Sequence, residues 1–303
     1  MALNIYNIKR WLKMLTGNSI LHVNQGVGKI YSTKNVEGYY NDLTEKVTRN
    51  KELYNSVKIP LYQLESGKKV VFPIDVFQYG LGSYDLYLLE NNRLFLEKFK
   101  LCVDWSIDNQ ELNGAWNTFF FHYPDTPYSA MAQGEGISLL LRAYIKFEEE
   151  IYLKAAEKAV EFLIKPIEEG GTSKYTNGNV FLKEYMTEPT VLNGWIFAIF
   201  GLYDYLKIVK DKTVADVYHC SIKTMIHNME RFDNGYWSKY DISNMIASPF
   251  YHDLHIAQLA IMYEITEEEI FKKYQDKWIK YKDKRLNRYR SFINKAIQKI
   301  KEK

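Results

Sequence analysis

The sequence predicts a mainly α protein, an incomplete α/α toroid of about four helix hairpins with short β-hairpins at the rim of a cleft. Two observations carry this. Asn-Gly followed by an aromatic-rich run occurs three times, as "NGAWNTFFF" from Asn113, "NGNVFLKEY" from Asn177 and "NGYWSKY" from Asn234. Such a step favours a tight type I′ hairpin, whose two central residues both need positive φ. Between these turns lie pairs of stretches with helical periodicity, repeating at a spacing of roughly 60 residues. Stacked helix pairs of this kind curve into a toroid whose rim loops wall a cleft while the helices supply packing. No Pro- or Ser-rich linker interrupts the 303 residues, so one domain is expected over 1–303.

At the N-terminus, "MALNIYNIKRWLKMLTGNSI" sets basic residues within an apolar segment. This reads as a short amphipathic helix, with lead-in to residue 34, and not as a secretory leader. Helices are expected at 73–90 and 91–107, at 129–147 and 149–166, and at 188–208 and 212–231. The last pair is 251–264 and 266 onward, the latter opened by a capping box from Thr266 to Glu269. "VLNGWIFAIFGLYDYL" is interrupted by Asn193, Gly194 and Asp204 and is too short to span a bilayer, so it reads as a core helix. If 179–185 is a strand, alternation sends Glu184 and Tyr185 to opposite faces unless the strand has ended before them.

Charge is placed unevenly. Residues 272–303 hold 13 Lys and Arg against three acids, so the net +3 of the chain arises from a tail of +10 and a remainder of −7. Apolar residues from Ile270 to Ile300 recur at steps of three and four, which predicts one long basic amphipathic helix over 272–303. A solvated basic face explains it, as does attraction to an anionic lipid surface or polymer. Cys102 and Cys220 have no metal-type spacing, which fits two buried, reduced thiols in a reducing compartment. The expected location is cytoplasmic, peripheral to the inner face of a membrane. No Walker loop, dinucleotide fingerprint or nucleophile elbow is present.

Three stretches taken together, "PIDVFQYGLGSYDLYL" at 73–88, "PYSAMAQGEGISLLLRAY" at 127–144 and "EYMTEPTVLNGWIFAIFGLYDY" at 184–205, resemble the C-terminal helical domain of the D-glucuronyl C5-epimerases. A fourth, "YDIS" at Tyr240 followed by "YHDLHIAQL" at Tyr251, is similar to the tyrosine-bearing end of that domain. The resemblance covers roughly residues 35–280 with the blocks in the family's order; the β-rich N-terminal domains of the animal enzymes have no counterpart. It implies C5 inversion of D-glucuronate to L-iduronate within a heparosan- or heparan sulfate-like polysaccharide, without a cofactor.

That chemistry removes a weakly acidic hydrogen beside a carboxylate and returns a proton to the opposite face, so it needs one group on each side of the sugar. The intermediate pushes charge into the carboxylate, where neutral donors stabilise it. By resemblance, Glu184 is the carboxylate base, Tyr251 the phenol on the other face, and Tyr240, with Tyr185, hydrogen-bonds the substrate carboxylate. Gln78, Tyr79 and Gln133 match family positions at the cleft. Asn193, in the "LNG" step, and His255, near the cleft mouth, complete the expected substrate-binding set.

Two positions depart from the animal pattern. Ser243 stands where the family has an arginine, removing a fixed cation that could pair with substrate carboxylate or sulfate. Glu135 stands where the animal enzymes have an amide.

"HDLH" puts His252 and His255 on one helix face, yet no third ligand follows with metal spacing, and no metal is expected. The expected partner is an anionic glucuronate polymer. The reading also admits a membrane surface met by the basic helix and a second copy of the chain, but no nucleic acid. Three alternatives stay open on sequence: a uronate lyase sharing the carbanion, a glycoside hydrolase pairing Glu184 with Asp75, Asp241 or Glu188, and a non-catalytic glycan-binding factor.

Overall fold

Residues 19, 22–64 and 66–301 are described by a computed structural model, with the backbone alone at 299 and 300. Most of the expected N-terminal helix lies outside the described residues. From Val23 the chain runs extended, with a bridge between Val27 and Asn41, into two short helices, α1 (Thr44–Thr48) and α2 (Lys51–Tyr54). A small antiparallel pair, β1 (Tyr62–Gln63) with β2 (Lys69–Val70), leads to the main helices.

Four helix hairpins follow: α3 (Pro73–Glu90) with α4 (Arg93–Asp108), α5 (Ala130–Phe147) with α6 (Glu150–Ile164), α7 (Leu192–Ile208) with α8 (Lys212–Asn228), and α9 (Pro249–Thr266) with α10 (Glu269–Asp283). A further helix, α11 (Arg285–Lys301), follows. The mainly α expectation with short β-hairpins is met, and the eight helix limits fall close to those expected.

Local chemistry explains the limits. Ser129 and Ser248 accept backbone N–H bonds at the starts of α5 and α9, and Asn92 and Asp211 do so for α4 and α8. Pro73 and Pro249 occupy first-turn positions where a missing N–H costs nothing. Asn91, Glu148 and Glu267 end α3, α5 and α9 in the left-handed conformation.

The first helices of the pairs pack side by side in chain order, α3 on α5, α5 on α7 and α7 on α9, with α4, α6, α8 and α10 each backing its own partner. The closest approach is between α5 and α7, where a Cβ at Gly201 would stand 2.5 Å from the Gly134 backbone. One apolar cluster runs through the four hairpins, from Val36 to Trp278. Each fully buried Leu, Ile or Phe in it contributes about 1.5–3 kcal/mol.

Only the middle Asn-Gly forms the expected hairpin. There β3 (Ser173–Thr176) pairs antiparallel with β4 (Asn179–Leu182), and Asn177 and Gly178 both have positive φ, 48° and 74°. At Asn113-Gly114 only the glycine is left-handed, and the turn closes on itself through Glu111 and Ala115 without strands. At Asn234-Gly235 the Asn234 side chain accepts the Tyr236 and Trp237 N–H groups, and a single bridge from Asp233 to Ser238 replaces a ladder. Side-chain capping by Asn outcompetes strand pairing there.

Three further expectations are corrected. Thr266 closes α9, its hydroxyl donating to the Met262 carbonyl, so it does not cap α10. The long basic helix breaks at Lys284, which is extended; the Asn287 side chain donates to the Tyr281 carbonyl and its N–H to the Lys284 carbonyl. The turn lets α11 fold back onto the 236–246 segment. Cys102 is buried, but Cys220 is half-buried, with its thiol donating to the Gly178 carbonyl.

Candidate active site

The starts of α3, α5, α7 and α9 meet at one cleft with a cavity of about 120 Å³. Asp75, Met131, Asn193 and Tyr251, each within the first three residues of its helix, line it. Helix N-termini carry partial positive charge and unpaired N–H groups, so four of them converging favour an anion between them. Phe72, Phe197 and Leu254 supply apolar walls.

Glu184 enters this cleft because β4 has already ended at Leu182. Strand pairing gives way to two anchors at Lys183, whose N–H bonds the Thr172 carbonyl and whose carbonyl accepts the Ala130 N–H. With alternation released, Glu184 and Tyr185 both line the cavity. Glu184 is only 5% exposed. It lies against Gly194 in the first turn of α7, where a Cβ would come within 2.3 Å of Oε2. Burial raises its pKa to about 7, opposed by a hydrogen bond from Tyr185. Oε2 has no protein hydrogen-bond partner among the described residues.

Behind the carboxyl stands a row of phenols. The Tyr185 hydroxyl donates to Glu184 and accepts from Tyr240, and the Tyr240 ring packs 4.7 Å from that of Tyr251. Burial first, then the Glu184 charge, lifts the Tyr185 and Tyr240 pKa values well above 10, so both remain neutral donors. Tyr240 is held by main-chain bonds that tie 240–242 to 190–192, ahead of α7. Tyr251 sits on α9 through the Ser248 cap.

A second carboxyl lies deeper. Glu135 on α5 is fully buried and accepts a 2.8 Å hydrogen bond from the Gln78 amide, while its Oε2 and the Asn193 Oδ1 have no protein partner among the described residues. Burial holds its pKa well above the usual carboxylate range, with Gln78 pulling the other way. The basic groups at the cleft come from the N-terminal part: Lys46 on α1, 3.7 Å from Asp75, and His22 in the lead-in. The sequence reading did not find His22 or Lys46, because neither sits in a motif or near the others in the chain.

Of the expected site residues, Glu184, Tyr185, Tyr251, Gln78 and Asn193 line the cavity and Tyr240 abuts it. Three lie elsewhere, correcting the expectation of cleft contact. Tyr79 points to the far side of α3 and donates to the Leu53 carbonyl. Gln133 spends its amide on the Gly114 and Ala159 carbonyls and accepts the Trp116 N–H. His255 is buried beneath the site with His252, the Ser238 hydroxyl joining both rings at 3.1 and 2.8 Å. Burial holds both histidines neutral, pushing His252 down to about 3 and His255 well below its ordinary value. Ser243 is exposed and donates to Asp241, so it does not face the cleft.

A wider groove of about 550 Å³ runs between α7 and α8 past Tyr203, Lys207 and Tyr218. Its size is outweighed by its chemistry: Lys207 already bonds the Ser32 and Asn35 carbonyls and Tyr40, and Asp211, which lines it with His219, is engaged in capping α8.

Residues 110–280 match the family described as D-glucuronyl C5-epimerase C-terminus. A D-glucuronyl C5-epimerase of Caenorhabditis elegans is 29% identical over 212 residues, 60% of this chain and 34% of that protein. An uncharacterized protein of Methanocaldococcus jannaschii is 31% identical over 155 residues, covering 49% of this chain and 50% of that one. The chain thus spans about a third and about half of the curated relatives it matches. Glu184, Tyr185, Asn193, Tyr240 and Tyr251 fall within the matched region, whereas His22, Lys46 and Gln78 precede it.

Proposed function

Since the chain belongs to the D-glucuronyl C5-epimerase family through the C-terminal region that residues 110–280 match, we propose that it inverts C5 of D-glucuronate to L-iduronate within a polysaccharide. The observation that carries this reading is Glu184: a buried carboxyl with a pKa of about 7 and one oxygen without a partner among the described residues, backed by phenols. A general base is most effective with a pKa near the working pH.

In this mechanism the Glu184 carboxylate takes the C5 proton, and the electron pair moves into the C6 carboxylate. The resulting aci-dianion is stabilised by the helix N-termini around it, by neutral Tyr185 and Tyr240, and by Lys46. Tyr251 then gives its proton to C5 on the opposite face. Glu184 is left protonated and Tyr251 ionised. Tyr185 and Tyr240 extend hydrogen bonds from Glu184 toward Tyr251, and exchange with solvent returns the proton from Glu184 to Tyr251 and resets the site. Gln78 and Asn193 orient the sugar.

The test is incubation with heparosan in deuterated water, followed by NMR. Deuterium at C5 with appearance of iduronate and unchanged chain length supports the proposal. Shortened chains with the ultraviolet absorbance of an unsaturated uronate would assign a lyase, and shortened chains without it a hydrolase. Binding with no exchange would assign a glycan-binding factor.

A further inference from the structure

α11 is seated on the body the wrong way round for an ordinary surface helix. Polar side chains make its hydrogen bonds to the body. Asn294 donates to the Tyr236 hydroxyl at 2.8 Å, and Gln298 accepts the Ile246 N–H and donates to the Asn244 carbonyl, both at 2.9 Å. Ser291 is buried, and the Arg290 guanidinium lies 3.9 Å from the Tyr236 ring. A stripe of apolar residues faces away: Leu286, Tyr289, Ile293 and Ile297 are 82%, 69%, 55% and 43% exposed. Steps of three, four and four put them on one side of the helix. A helix that packs on a soluble core buries such a stripe.

We infer that this outer face of α11 docks on an anionic phospholipid surface. Charge selects the occupant. Residues 285–301 hold six Lys and Arg and no acid; Lys295 is buried and Arg290 lies over Tyr236, while Arg285, Arg288 and Lys301 are exposed. A second copy would bring an identical basic stripe against the first, and residues 1–18, with Lys9, Arg10, Lys13 and no acid, carry the same sign. An anionic polysaccharide would answer the charges but leave the apolar side chains in water. A bilayer with anionic headgroups answers both, taking the stripe into the headgroup boundary while the basic residues stay among phosphates. No helix among the described residues is long and apolar enough to cross a membrane, so α11 lies along the surface. Its inner face meets the site, with Lys295 5.7 Å from the Tyr240 ring, so docking occurs one helix away from the phenols.

The full chain is sedimented with vesicles of phosphatidylcholine alone and with vesicles containing about a third phosphatidylserine. Binding to the anionic vesicles is expected to be roughly tenfold or more tighter and to weaken with added salt. The double variant Leu286→Ser, Ile293→Ser removes only solvent-facing apolar groups, so it folds and turns over short soluble substrate normally while vesicle affinity falls roughly tenfold or more. Equal binding to both vesicle types, or undiminished binding by the double variant, overturns the inference. So does a wild-type dimer that ignores vesicles and that the double variant dissociates, which would assign the stripe to a second copy. Binding that appears only after removal of residues 1–18 overturns it in favour of that segment as the stripe's cover.

Discussion

Glu184 rests on the first turn of α7 and Asp204 projects from its last turns; both are buried, and the protein treats them in opposite ways. Asp204 accepts the Ser138 hydroxyl and the Arg142 guanidinium, both at 2.7 Å, and the Tyr40 hydroxyl at 2.5 Å, with Lys207 at 3.9 Å. Arg142 also reaches the Gly38 carbonyl, so this one carboxylate ties α5, α7 and the lead-in together. Glu184 has one phenol, an oxygen without a partner among the described residues, and a pKa displaced to about 7. A buried acid with its lone pairs occupied by cations and hydroxyls is fixed in charge and place; one held short of partners near neutrality is poised to exchange a proton.

The largest expected effect exchanges these properties. Glu184→Gln should lower turnover by about 10²–10⁴-fold while polymer binding and fold survive, because only proton transfer is lost. Asp204→Asn should do the reverse. Breaking a buried ion pair from one side costs about 3–5 kcal/mol, so the protein unfolds at lower denaturant while the folded fraction keeps its turnover per molecule. Chemical denaturation and single-turnover rates on both variants decide it. If Asp204→Asn loses catalysis without losing stability, the division between a structural and a chemical end is wrong.

How much of this contrast the sequence carried depends on the range of the signal. Helix limits were legible because caps are local: Ser129, and Ser248 with Pro249, announce α5 and α9 within a few residues. Glu184 was legible through the order of blocks around it, and its companionship with Tyr185 as a condition on where the strand stops. Tyr79 and Gln133 were misread because a match to a family position in the helix does not say which face of that helix meets the cleft. A glutamine holding two neighbouring carbonyls also looks the same in sequence as one holding a ligand. Lys46 and His22 reach the cleft only through the path of the lead-in, and the bend at Lys284 interrupts an unbroken apolar period. Both are tertiary facts.

A second expectation, roughly 3 kcal/mol, sharpens the comparison through pH. Burial raises the Glu184 pKa from 4.5 to about 7, so the folded chain holds this proton more tightly than the unfolded chain. The stability it contributes is full below about 4.5 and is lost as pH rises through about 7. Glu184→Gln, which has no charge to bury, should therefore be more stable than wild type at pH 8 by up to about 3 kcal/mol, with the gap closing toward pH 4. Over the same range kcat/KM of the wild type should climb as the base ionises and level off above about 7. Thermal unfolding of both proteins across pH checks the first part, and a flat difference would remove Glu184 as the group behind the acid limb.

The smallest effect comes from two glycines of α7, one near each carboxylate. A Cβ at Gly194 would meet Glu184 Oε2 at 2.3 Å, which can swing aside, and the Glu184 Cβ at 2.7 Å, which moves only with its backbone. At Gly201 it would meet the Gly134 backbone at 2.5 Å, where α5 and α7 are in contact and neither can yield. Gly194→Ala should cost about 1–3 kcal/mol in stability, because the chain at Glu184 must shift, less the roughly 1 kcal/mol gained from the better helix propensity of Ala. It should also lower kcat by about 10–100-fold, since a misplacement of about 1 Å is enough to spoil proton transfer. Gly201→Ala should cost about 1–3 kcal/mol in stability through overpacking, with turnover per folded molecule unchanged. Denaturation midpoints against kcat separate the two. Once Glu184→Gln has replaced the carboxylate by an amide, there is no base left to misplace, so adding Gly194→Ala to that variant should lower kcat no further. A further loss in the double variant would mean that Gly194 serves the first turn of α7 itself instead of the carboxylate resting on it.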